Sequence, residues 1–65
     1  MIVKQMVHHT NDDFLLTIKE FESDNRLIIG QIKELESENN KAYKRVKEMK
    51  IKDFYLNHGS IIIWV

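Results

Sequence analysis

Leu27-Ile28-Ile29-Gly30-Gln31-Ile32-Lys33 decides how this chain folds, because it can be read as a strand or as the middle of a long helix. Three β-favouring residues follow a turn-like Ser23-Asp24-Asn25, and Gly30 is a poor residue for a helix interior. On this reading a helix ends near Asp24-Asn25 and residues 27–33 form a strand. The competing reading continues one helix from 12 to 50. Phe14, Ile18, Phe21, Asn25, Ile28, Ile32, Leu35, Asn39, Ala42, Val46 and Met49 recur at alternating spacings of four and three, the seam of a coiled coil. The flanking positions weaken that seam, since pairs such as Gln31–Glu36 and Arg45–Lys50 carry no opposite charges. Between the two lies a compromise, with a helix over 12–24 and a second helix somewhere in 34–50, where Glu34, Leu35, Lys41, Ala42, Lys44 and Arg45 are good helix formers.

Upstream, Ile2 to His9 reads as a strand, with Val3, Val7 and His9 on one face and Ile2, Met6 and His8 on the other. Thr10 or Asn11 then offers an N-cap, with Asp12 and Asp13 at the positive end of a helix dipole. Phe14, Leu15, Ile18 and Phe21 follow at helical spacing and predict a helix from about Asp12 to Ser23. Downstream, Asn57-His58-Gly59-Ser60 is either a tight turn joining two strands or a bulge in one long strand. The last five residues, Ile61-Ile62-Ile63-Trp64-Val65, are apolar without a break. In a strand, Ile61, Ile63 and Val65 point one way while Ile62 and Trp64 point the other.

That terminal run sets an oligomeric expectation. A strand apolar on both faces is hard to cover in a chain of 65 residues, where a single helix shields only one side. A second copy is the economical cover, so a homodimer is expected, with Ile61, Ile62, Ile63, Trp64 and Val65 at its interface.

Composition excludes several classes. The 65 residues form one domain, 1–65, and the absence of Cys removes disulfide scaffolds and thiolate zinc sites. The apolar runs are too short to span a bilayer and the first residues follow no signal-peptide pattern, so a cytoplasmic protein with no membrane partner is expected. His8, His9 and His58 are the one candidate metal cluster. His8 and His9 would point to opposite strand faces and no spacing recruits Asp12, Asp13 or Asp53, so strand-end histidines are the simpler reading. There is no Gly-rich phosphate loop and no nucleophile with a base at recognisable spacing. No cofactor and no enzymatic activity are expected.

Charge is segregated beneath a formal net charge of zero. From Asp12 to Glu38 eight acids face three bases; from Lys41 to Lys52 six bases face one acid. Lys41, Lys44, Arg45, Lys47, Lys50 and Lys52, with Tyr43 among them, form the candidate partner-binding segment. It could grip nucleic-acid phosphates, but the neighbouring acids would repel them. A solvated helix face, or a surface for a protein partner, fits the zero net charge better.

The order of pieces also resembles a known family. Met1-Ile2-Val3-Lys4, then Ile18-Lys19-Glu20-Phe21, then Ile28-Ile29-Gly30-Gln31-Ile32-Lys33, then Ser60-Ile61-Ile62-Ile63-Trp64-Val65 are similar to the very short sporulation-protein-like products of Bacillus and Gram-positive phages. A small homodimeric phage anti-defence protein has a similar layout. Residues 37–52 have no counterpart, and Gly30 stands where that family carries an acidic residue. The resemblance implies strand, helix, strand, strand; it implies no enzymatic activity and assigns no residue roles.

The expectation is therefore a small α+β protein, an antiparallel sheet with helix of βαββ type, homodimeric. The alternative is the coiled-coil helix over 12–50 flanked by short strands. In function, a phage or mobile-element regulator or inhibitor that binds a host protein is expected. A nucleic-acid-binding regulator using 41–52 and a structural coiled-coil assembly factor are the alternatives.

Overall fold

The computed structural model describes residues 1–37 and 40–65, and within these the chain forms α1 (Val3–His8), β1 (Leu15–Lys19), β2 (Arg26–Gln31), α2 (Ile32–Ser37), α3 (Lys41–Val46), β3 (Asp53–Asn57) and β4 (Ser60–Trp64). The strands make one sheet in the order β2-β1-β4-β3. β1 and β4 run parallel at its centre, while β2 and β3 flank them antiparallel. The α+β class holds. The sheet is mixed rather than antiparallel, and the element order is not βαββ.

The strand expected over Ile2–His9 is helix α1 instead. A spacing of four, as between Val3 and Val7, places two residues on one face of a strand and equally on one face of a helix. Only the helix also turns Met6 onto the core, where it packs beside the fully buried Val3 and Val7. The Ile2 N–H donates to Gln5 Oε1 at 2.9 Å and satisfies one donor of the entry turn. Thr10 does not cap a following helix; its hydroxyl donates back to the Met6 carbonyl at 2.8 Å and closes α1.

The helix expected over 12–23 is corrected to β1. Asn11 Oδ1 accepts the Asp13 N–H at 2.8 Å, so the polar run makes a turn rather than a helix start. Leu16 and Ile18 then alternate into the core, where they neighbour Ile61 and Ile63 of β4. A helix would have turned Leu16 away from Phe14 and Ile18; pairing with β4 rewards the alternating set instead.

In the middle the strand reading is the one the structure adopts. Residues 12–50, which the alternative assigns to one helix, are divided among β1, β2, α2 and α3; Asn39 of the proposed seam lies outside the described residues. Gly30 has a packing reason: a Cβ there would sit 3.2 Å from Leu35 Cδ2, because α2 folds straight back over the end of β2. α3 begins at Asn40, whose Oδ1 accepts the Tyr43 N–H at 3.0 Å. Of the two readings of Asn57–Ser60 the tight turn is the one adopted: β3 and β4 form a hairpin, with Asn57 paired to Ser60 across His58-Gly59 and Gly59 at φ 70°.

The core gathers one face of the sheet and one side of every helix: Leu16, Ile18, Ile28, Ile61 and Ile63 beneath Val3, Val7, Ile32, Leu35, Tyr43 and Val46. Each such aliphatic side chain, when fully buried, contributes roughly 1.5–3 kcal/mol. Among the described residues all three helices therefore cover the same face, and the other face of the sheet carries none.

Candidate binding surfaces

Of the terminal run, Ile61, Ile63 and Val65 are buried in the chain's own core, while Ile62 and Trp64 lie half-buried on the uncovered face. The expected alternation is right, and one copy consumes three of the five residues assigned to a dimer interface.

The register defines what the uncovered face presents. Thr17 pairs with Ile29 on one side and with Ile62 on the other, and Ile62 pairs with Tyr55. Ile29, Thr17, Ile62 and Tyr55 thus form one row across all four strands, since directly paired residues share a face. The next row runs Arg26, Lys19, Trp64 and Asp53. Trp64 is fixed within it: its Nε1–H donates to Asp24 Oδ1 at 2.9 Å, and Lys19 Nζ lies 3.7 Å from Asp24 Oδ2. The Trp64 hydrogen bond, with the Lys19 charge beside it, holds the Asp24 carboxyl below its ordinary range. Asp24 sits at φ 58°, a left-handed conformation that Asp tolerates better than most residues.

Strand β3 is the least covered element. Phe54, Tyr55 and Leu56 are 51%, 55% and 58% exposed, and among the described residues the outer edge of β3 pairs with no other strand. Phe54 and Leu56 pair with Ile63 and Ile61 and so face the helix side; Tyr55 faces the open side. Two depressions of about 360 Å³ each adjoin the strand, the first mostly apolar and the second of mixed character with Asn57 also in its lining. Met1, Met6, Ile51 and Phe54 line one, and Phe14, Leu56 and His58 line the other.

The basic segment does not form one stripe. Lys41, Lys44 and Arg45 are exposed on α3, Tyr43 is buried beneath it, and Lys47 is half-buried. Lys50 bridges to Ile2 after the helix, and Lys52 stands 5.9 Å from the centre of the Phe21 ring at the far end of the sheet. Lys44 and Lys47 share a groove of about 240 Å³ with Lys4, His8, Glu36 and Tyr43. Lys4 itself is paired with Glu48 at 2.9 Å. Burial, with the Glu36 charge second, pushes the Tyr43 hydroxyl above its ordinary range. That Lys4 and His8 join these bases was not legible in the sequence, because nothing in a stretch forty residues away signals that α1 packs beside α3.

The acidic segment supplies its own partners in part: Asp13 pairs with Lys33 at 3.1 Å, and Asp24 with Lys19. His8 and His9 end α1 beside one depression and His58 turns the β3–β4 hairpin beside another. Among the described residues no three His, Asp or Glu side chains gather as a metal site, and no helix is long and apolar enough to cross a membrane.

Comparison with protein-family models, with curated proteins and with solved structures finds no match to this chain.

Proposed function

We propose that this chain is a non-enzymatic binding protein that works as a homodimer and docks on another protein. The observation that carries the reading is the one-sided construction of the fold. Every helix covers one sheet face, while Leu15, Ile29 and Tyr55 stand exposed on the other and Phe54 and Leu56 on the adjoining edge strand. Apolar side chains gathered in this way on a small protein mark an interaction surface. Flanking Lys19, Arg26 and Asp53 give the open face a charged rim, as protein interfaces have. The resemblance drawn from the sequence extends the reading to a phage or mobile-element regulator or inhibitor acting on a host protein in the cytoplasm, and it is the only support for that extension. Its first two pieces are strand and helix in that family, whereas here they are α1 and β1.

Nucleic-acid binding is the second reading, favoured by the groove that brings Lys44 and Lys47 to Lys4 and His8. Against it, Glu36 lines the same groove and Glu48 neutralises Lys4. Titration with random duplex DNA separates the two. No binding at low salt is the expected result; binding that weakens steeply as salt is raised would transfer the function to the basic groove. Sedimentation at micromolar concentration should show a dimer, and a folded monomer there would remove the homodimer.

A further inference from the structure

We infer that two copies of this chain join through β3, pairing antiparallel about a two-fold axis at Tyr55, so that the two four-stranded sheets become one continuous sheet. The inference rests on the homodimer reading above and names its interface.

Three observations lead there. The first is that β3 is an edge strand without the usual protection. Asp53-Phe54-Tyr55-Leu56-Asn57 contains no Pro and no Lys, its pairing with β4 shows no register shift, and all five residues are exposed. Along an antiparallel ladder, alternate residues turn their backbone N–H and C=O away from the existing partner, so β3 offers an unpaired hydrogen-bonding edge. The opposite edge is different. β2 carries Arg26 and a register irregularity next to it, and α2 leaves directly from its end.

The second is that the strand is complementary to itself. Antiparallel pairing centred on Tyr55 sets Phe54 against Leu56 of the second copy on the helix side, and Asp53 against Asn57 of the second copy on the open side. No like charges meet within the strand, and a net charge of zero leaves no long-range repulsion between copies.

The third is the pair of depressions at the two ends of β3, one mostly apolar and one mixed. The pairing brings Leu56 of the second copy to the mouth of the depression lined by Met1, Met6, Ile51 and Phe54. Phe54 of the second copy comes to the mouth of the one lined by Phe14 and Leu56. An antiparallel two-fold uses both at once, which a one-sided partner strand would not require. One short strand from each copy places the interface at the small end of specific association.

The chain has no Cys, so single-cysteine variants report the interface directly. Residues facing across the two-fold have Cα atoms about 5 Å apart, within disulfide range. Tyr55→Cys should therefore form a covalent dimer under mild oxidation, and Ile62→Cys on the open face should not. Tyr55→Lys should weaken the dimer at least tenfold in sedimentation while leaving the circular dichroism of the monomer unchanged. A dimer that cross-links through Ile62→Cys and not Tyr55→Cys, or that tolerates Tyr55→Lys, overturns the β3 interface and keeps the homodimer. A folded wild-type monomer at micromolar concentration overturns both.

Discussion

Trp64 and Asp24, forty residues apart in the sequence, are joined by a hydrogen bond of 2.9 Å from the indole N–H to a carboxylate oxygen. The bond fastens the β1–β2 turn to the end of β4. The backbone adds two more ties at the same place, Phe21 N–H to the Val65 carbonyl and Val65 N–H to the Lys19 carbonyl, each 2.9 Å. The corner where three strands converge is thus built from the turn as much as from the strands.

Acid should loosen this corner. A carboxyl whose folded pKa is depressed contributes stability above its unfolded value, near 4, and loses it as pH falls through the lower folded value. Asp24 is exposed, so the contribution is small and screened by salt. Trp64 fluorescence should shift on acidification below about pH 4. Asp24→Asn keeps an acceptor and tolerates the left-handed backbone but removes the charge, so that shift should flatten. An unaltered titration in the variant would assign the signal to another group.

The two sides of β4 should differ sharply in stability. Ile63 is fully buried under the helices, and Ile63→Ala should destabilise by about 2–5 kcal/mol. Ile62, one residue earlier on the uncovered face, should lose about 1 kcal/mol or less on the same change. Urea midpoints at matched m-values measure both. Equal losses would mean that the open face is covered in solution by more than a β3 pairing provides.

Gly30 and Leu35 should be coupled. Gly30→Ala places a methyl 3.2 Å from Leu35 Cδ2, so the Leu35 side chain must give by a few tenths of an ångström to accept it. Truncating the neighbour in Leu35→Ala opens the space that the methyl needs. The double variant should therefore be less destabilised than the sum of the single changes. Simple additivity would show that α2 does not lean on β2 as described.

Tyr43 should titrate late. Burial and then the Glu36 carboxylate disfavour the tyrosinate, so the fold's preference for the neutral ring holds below the ordinary value near 10 and is lost as pH rises through the higher folded value. In a Tyr55→Phe background the tyrosinate absorbance reports Tyr43 alone, since the chain has two tyrosines. Glu36→Gln should move that titration downward, by less than the removal of burial would.

Legibility in the sequence varied by element for a common reason. The terminal strand was legible because Ile61 to Trp64 has no helical alternative of useful length, and the hairpin before it was one of two readings, the one in which Gly59 takes a left-handed turn. Strand β2 was legible from Ile28-Ile29-Gly30 and the preceding turn. α1 and β1 were exchanged because Val3 and Val7, like Phe14 and Ile18, stand four apart, a spacing shared by both periodicities. The basic residues were found, but their scattering over α3, the bridge at Lys50 and the ring of Phe21 was not. The groove they share with Lys4 and His8 depends on helix packing, which no local pattern encodes.

By itself the sequence determined the α+β class and the alternation that buries Ile61, Ile63 and Val65, and it narrowed Asn57–Ser60 to a tight turn or a bulge, because each follows from backbone sterics and side-chain period within a few residues. Only the tertiary structure decided that residues 3–8 coil and 15–19 extend. Both segments satisfy either period locally, and the choice falls to whichever lets the most apolar surface leave water together. Once β1 lies parallel to β4 with every helix on one side, the other face and the β3 edge are left open. That exposure is a property of the whole arrangement, which no single segment carries.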